Sequence, residues 1–194
     1  MIDKLTATIA ERREQRVTPI LASLTDFELP EQVDVVFSNA VFHWIPDDEA
    51  LFSCLLRASK PGGRLRAQCG GGHNIVRLME VTHEVEARSP YNQHLSPDSE
   101  FRKYRSRDEA EAAMAEAGWA DARADVWESP VVFENEDDAI VYLRTIILQH
   151  QATALPPALS DAFLRDVVRE TILRFGEPFV ADYVRLDLWA TAPG

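Results

Sequence analysis

Val33-Asp34-Val35-Val36-Phe37-Ser38, continuing through Asn39-Ala40-Val41-Phe42-His43-Trp44, is the stretch on which the fold turns. Its run of Val and Phe, without polar alternation, suits a parallel strand covered on both faces. Ser38 and Asn39 mark where the chain leaves the sheet. Asp47, Asp48 and Glu49 then offer caps and acidic charge to the positive end of a helix. Leu51, Leu55 and Ala58 give that helix an inner stripe, and Lys60-Pro61-Gly62-Gly63 reads as its stop. Arg64-Leu65-Arg66-Ala67-Gln68-Cys69 is the next strand. Strand, helix, strand predicts a right-handed parallel crossover, hence an α/β fold.

Working outward, Ile2, Leu5 and Ile9 share one face of a helix predicted over residues 1–16. Thr18-Pro19-Ile20-Leu21-Ala22-Ser23 reads as a short strand, and residues 26–32, with Pro30, as a loop. Gly70-Gly71-Gly72 matches neither GxGxxG nor GK[ST] and reads as a flexible exit from the sheet. A polar helix over 74–87 and a Pro-containing loop to Tyr104 follow. Ser106-Arg107-Asp108-Glu109 is a capping box, opening a helix lined by Ala110, Ala113, Met114 and Ala117 and stopped by Gly118. Residues 119–128 read as a strand and 136–151 as a helix. Leu164, Val167, Val168, Thr171, Ile172 and Phe175 trace a further amphipathic helix, and 183–190 close the chain as a strand. The expected organisation is one domain over 1–194 with a helical insertion around 136–176.

The 194 residues are 46% apolar and 27% charged, enough for a core without disulfide or metal staples. No apolar run is long enough to span a bilayer, and Met1-Ile2-Asp3-Lys4 lacks a signal-peptide character. Cys54 and Cys69 are the only cysteines and have no metal-ligand spacing, so no metal is expected and the compartment is read as cytoplasmic. A net charge of -12 repels phosphate backbones and anionic lipid, so neither nucleic acid nor membrane is an expected partner. The basic run Arg102-Lys103-Tyr104-Arg105-Ser106-Arg107 is the exception, read as a solvated turn or a local anion site.

In an open parallel sheet, ligands sit beyond the carboxyl ends of strands. That selects Ser23 and Leu24, the segment from Ser38 to Trp44, and residues 69–73. Asn39 can both donate and accept, His43 titrates near neutrality, and Trp44 offers a broad apolar face. A packed, merely structural His-Trp pair is the alternative reading, and the sequence leaves both open.

Asp34 through Trp44, then Pro46, then Lys60-Pro61-Gly62-Gly63 resembles class I S-adenosylmethionine-dependent methyltransferases, in the small-molecule branch that includes trans-aconitate methyltransferase. Tyr104-Arg105-Ser106 leading to Ala117-Gly118-Trp119, and Asp182-Tyr183-Val184-Arg185-Leu186, resemble the late helix and strands of that family. The resemblance implies a Rossmann-like sheet with helices on both faces. It implies methyl transfer from S-adenosylmethionine to a small-molecule acceptor, with a carboxylate O-methyltransferase as the finer form. Ser23, Leu24, Asn39, Ala40 and Trp44 would hold the cofactor, His43 would be catalytic, and Arg144 and Arg185 would meet an anionic acceptor.

Two departures qualify the resemblance. The glycine-rich cofactor loop and the acidic residue that holds the ribose are not found, so the chain reads as truncated, lacking the first strand-helix-strand unit. Ser23 stands where the family often has Asp. The expectations are therefore weak cofactor binding and exposed sheet edges open to a protein partner or to self-association. An inactive methyltransferase-like domain or subunit that needs a partner chain is the competing function. A nicotinamide-dependent reductase would need the same absent loop and a Tyr-x-x-x-Lys that the chain lacks.

Overall fold

A computed structural model describes residues 2–96 and 102–194. Met1 and the part of the Pro-containing loop over 97–101 lie outside the described residues. The central unit is β1 (Val33–Asn39), α2 (Asp48–Arg57) and β2 (Ser59–Gly70), preceded by α1 (Ile2–Glu11). β1 and β2 are parallel, as their strand-helix-strand pattern requires. Asp47 caps α2 by accepting from the Ala50 N–H at 2.9 Å.

After β2 come α3 (Val76–Glu86), α4 (Arg107–Glu116) and β3 (Ala120–Glu128). The capping box forms at α4, with Ser106 accepting from the Glu109 N–H and Glu109 accepting from the Ser106 N–H. β4 (Val131–Phe133), α5 (Glu136–Tyr142), a π-helical turn (Leu143–Ile147), α6 (Gln149–Ala154) and α7 (Pro157–Phe175) follow. β5 (Phe179–Ala181) and β6 (Val184–Thr191) complete the order. The main sheet runs β1-β2-β6-β3, with β6 antiparallel to both neighbours, and β4 pairs with β5 in a separate ribbon.

Two cores result. One lies between the sheet and helices α2 and α4, where Leu51, Phe52, Leu65, Met114, Leu186 and Leu188 are buried. Met114 is fully buried there as core filling. The other joins α3, α5 and α7 around Leu78, Leu143, Phe163 and Val167. Because Gly70 pairs with Arg185 and Glu128 pairs with Val184, β6 begins beside the carboxyl end of β2. The β4-β5 ribbon and the second core therefore sit past the carboxyl ends of the parallel strands.

Three expectations need correcting. Residues 18–23 do not form a strand; the segment makes only an isolated bridge between Ser23 and Asp26, and Leu21 is exposed. Among the described residues no neighbouring strand supplies its hydrogen bonds, and local β propensity alone does not hold a strand. Lys60-Pro61-Gly62-Gly63 does not end α2, which stops at Ala58. It is a looped-out piece inside β2, where the register jumps from Val33 opposite Ser59 to Val35 opposite Arg64. Gly70-Gly71-Gly72 is no loose exit. A Cβ at Gly71 would come within 2.4 Å of the Leu186 Cβ, so the turn is glycine because β6 packs directly on it.

Candidate functional site

At the carboxyl ends of β1 and β2 lies a cavity of about 320 Å³, walled by Ala40, His43, Trp44, Gly70, Asn74 and Ile75 on the sheet side. Arg102 and Tyr104 close a second side, and Tyr142, Thr145, Ile146 and Ile147 a third, with Tyr183 and Arg185 at the start of β6. The π-helical turn supplies Thr145 to Ile147; its wider winding is marked by the Leu148 N–H donating to the Leu143 carbonyl at 2.7 Å.

The chain reverses after β1 because Ala40 takes a left-handed conformation (φ 58°) while its N–H donates to the Gln68 carbonyl. A short 3-10 turn (Phe42–Trp44) then presents His43 and Trp44. That turn is held from a distance. Arg105, whose side chain is 1% exposed, donates to the Phe42 carbonyl at 2.9 Å, the Ile45 carbonyl at 2.7 Å and the Asp48 carboxylate. Lys103 adds its Nζ to Asp48 at 2.8 Å and its N–H to the His43 carbonyl at 2.8 Å. Burial would raise the Asp48 pKa, but the hydrogen bonds and charges of Arg105 and Lys103 prevail and hold it below the usual carboxylate value.

The His43 Nδ1 accepts from the Gly70 N–H at 3.2 Å. An imidazole that accepts at Nδ1 carries its proton on Nε2, so the ring offers a donor and has no free basic nitrogen. Desolvation, then the positive charges of Arg102, Arg185 and Arg105, lower its pKa to about 4. His43 is therefore neutral at physiological pH. The general-base role open to it at the sequence level does not fit this geometry. Orienting a bound group does.

The described lining residues include two guanidinium groups and no carboxylate. Arg185 lies over the Tyr183 ring, 4.4 Å from its centroid, and Arg102 over Trp44 at 5.0 Å. Tyr142 donates to the Tyr183 hydroxyl at 3.1 Å. Burial pushes the Tyr183 pKa upward, so its hydroxyl stays protonated.

Of the residues the sequence singles out, His43, Ala40, Trp44 and Arg185 line this one cavity. Arg144 does not join them: it pairs with Asp161 at 2.5 Å and reaches Ser160 on α7. Ser23, Leu24 and Asn39 are not in the lining either. Ser23 bonds Thr25 at 2.8 Å, Leu24 packs on the sheet core, and Asn39 is exposed at the end of β1. The tyrosines, Asn74 and the π-helical turn were missed, having no local signal. The basic run around Arg105 was the available clue.

Of the residues expected to hold S-adenosylmethionine, Ala40 and Trp44 line the cavity, whereas Asn39 lies outside it and is exposed. The glycine-rich turn and ribose carboxylate that complete such a site in the resembled family have no counterpart among the described residues.

The methyltransferase domain family matches residues 1–67. Trans-aconitate 2-methyltransferase of Rhodopseudomonas palustris is 34% identical over 84 residues, 43% of this chain and 32% of that protein. The enzyme of the same name from Rhizobium leguminosarum is 28% identical over 185 residues, 91% of this chain and 62% of that protein. The chain thus spans less than two thirds of the length of these relatives. Among solved structures, phosphoethanolamine N-methyltransferase 2 of Haemonchus contortus, in complex with S-adenosylhomocysteine, superposes with a TM-score of 0.54 at 17% identity, over 97% of this chain and 40% of that one.

Proposed function

We propose that this chain is a class I S-adenosylmethionine-dependent methyltransferase whose cavity takes a small-molecule carboxylate as methyl acceptor. The observation that carries this reading is Arg185 in a cavity with no carboxylate among its described lining, in a chain of net charge -12. The names of the two relatives, both acting on trans-aconitate, agree with an acidic acceptor.

The chemistry asks little of the protein's own acids and bases. A carboxylate is ionised at neutral pH and needs no proton removed before it accepts a methyl group. Bound S-adenosylmethionine would supply that group on a positively charged sulfur. The chain's residues position the acceptor. Arg185 offers charge-assisted hydrogen bonds, and Arg102, which donates to the Ile147 carbonyl at 2.6 Å, contributes positive charge. His43 donates from Nε2, and Tyr104, Tyr142, Ile146 and Ile147 narrow the space open to water. Positioning of this kind carries much of the barrier reduction in a displacement.

Calorimetry with succinate and with succinamide as the uncharged control tests the acceptor class. Succinate should bind, succinamide should not, and Arg185→Met should weaken succinate by roughly 10- to 100-fold, the loss of one charge-assisted bond. Equal binding of the diamide would overturn the reading. A separate titration addresses the cofactor. With only one wall of its site supplied, S-adenosylmethionine should bind more weakly than the low micromolar range, roughly -8 kcal/mol. Tight saturable binding would mean that the β1 exit and Trp44 suffice.

A further inference from the structure

Asn74 stands just past the carboxyl end of β2 and is only 5% exposed. Two bonds tie this exit to the start of β6. The Gly71 N–H donates to the Val184 carbonyl at 3.2 Å, and the Val184 N–H donates to Asn74 Oδ1 at 2.8 Å. A backbone N–H can only donate, so the second bond fixes which end of the amide is oxygen. Nδ2 is thereby turned the other way, over the bare face of Gly70. A Cβ at Gly70 would come within 2.7 Å of Asn74 Nδ2 and 2.8 Å of the Tyr104 ring, so those groups occupy the place of a side chain. The backbone beyond is equally fixed. Ile75 takes a left-handed φ of 49°, rare for a β-branched residue, while its N–H donates to the Asp182 carbonyl at 2.9 Å. Asn74 Nδ2 donates to no group among the described residues, yet its side chain lines the cavity shared by His43 and Arg185. A nearly buried amide N–H in that position carries a desolvation cost that only an acceptor can offset.

We propose that Asn74 binds the methyl acceptor directly and sets its charge class, with Nδ2 donating to the acceptor's carboxylate. The proposal rests on the carboxylate reading of the same cavity and adds to it the residue that turns other acceptors away. The Asn74 oxygen, the end of the amide that could receive a proton from an amine or alcohol, is engaged by Val184. His43 accepts from Gly70 through Nδ1 and so offers a donor at Nε2, and Arg185 offers its guanidinium. Asn74, His43 and Arg185 thus all present donors. A carboxylate, which only accepts, satisfies them together, whereas an ammonium group finds no acceptor on any of the three. Specificity here comes as much from the group left unpaired in the wrong complex as from the bond made in the right one.

Asn74→Asp separates this role from a structural one. The aspartate keeps an oxygen to accept from Val184 and exchanges only the Nδ2 donors for a second acceptor. Its melting temperature should stay near that of the wild type. Its affinity for succinate, by calorimetry at about pH 8 where carboxylates are ionised, should fall by roughly 100-fold or more, since a donor is lost and a like charge gained. Asn74→Ala, which also removes the bond to Val184, should lower the melting temperature as well. A second arm needs no variant: the Nδ2 proton signals of wild-type Asn74 should shift on adding succinate and hold still on adding succinamide. Equal succinate affinity in wild type and a folded Asn74→Asp would overturn the proposal and leave the carboxylate reading standing, and so would Nδ2 signals unmoved at saturating succinate. A wild type that binds no succinate would overturn both.

Discussion

Replacing Arg105 with methionine is expected to destabilise the protein by about 3–5 kcal/mol, the usual cost of breaking one side of a buried ion pair. The loss combines several effects. Asp48 would keep a partly buried charge with only Lys103 beside it, and the Phe42 and Ile45 carbonyls would lose their donors. Those carbonyls flank His43 and Trp44, so the turn that builds the cavity should loosen with the fold. Arg107→Met provides the control: its partner Asp108 is on the surface, so its loss should leave the unfolding midpoint close to wild type. Urea unfolding of the three proteins measures both effects. The pH dependence follows from Asp48. Its folded pKa lies below the unfolded value, so its contribution is complete above the unfolded pKa, near 4, and is lost as pH falls through the folded value. The gap between wild type and Arg105→Met should therefore be widest above about pH 5 and shrink in stronger acid. An Arg105→Met midpoint indistinguishable from wild type at pH 7 would show that the loop is held by something else.

Arg105 also marks the limit of what the sequence discloses. β1, α2, β2 and the capping box at Ser106 were legible because each is decided within a dozen residues by periodicity, caps and breakers. A basic run discloses only its charge. Whether Arg105 faces water or enters the core depends on carbonyls 60 and 63 residues away, which no local pattern reports. The misread strand at 18–23 fails for the same reason in reverse: Ile20 and Leu21 have the right propensity, but a strand also requires a neighbour. Gly71 was read as freedom when its role is close approach to Leu186. At the site, His43 and Trp44 could be placed by the rule for parallel strands, whereas Tyr142, Tyr183 and the π-helical turn arrive from elements more than 90 residues downstream.

His43 should act as a hydrogen-bond donor that never titrates in the working range, and the substitutions that separate donor from base have opposite expected outcomes. Side-chain nitrogen NMR should find Nε2 protonated and Nδ1 bare, with a pKa of about 4. Because this value lies below the unfolded one, the unfolded chain binds the proton first as pH falls. His43 therefore contributes stability above about pH 6.5 that is withdrawn as pH descends towards 4, by roughly 1–2 kcal/mol after allowance for solvent screening. His43→Gln can still accept from the Gly70 N–H through its carbonyl and donate into the cavity through its amide. His43→Phe can do neither. If the proposed reaction is assayed with S-adenosylmethionine in excess and a dicarboxylate acceptor, turnover should be flat between pH 6 and 8. Glutamine should stay within about tenfold of wild type, while phenylalanine should lose about 100-fold, the scale expected when an acceptor is displaced by about 1 Å. A general base instead predicts glutamine to be as damaging as phenylalanine. The bond from Gly70 decides between them, since a ring nitrogen already accepting a backbone N–H has no lone pair left to take a proton from the acceptor.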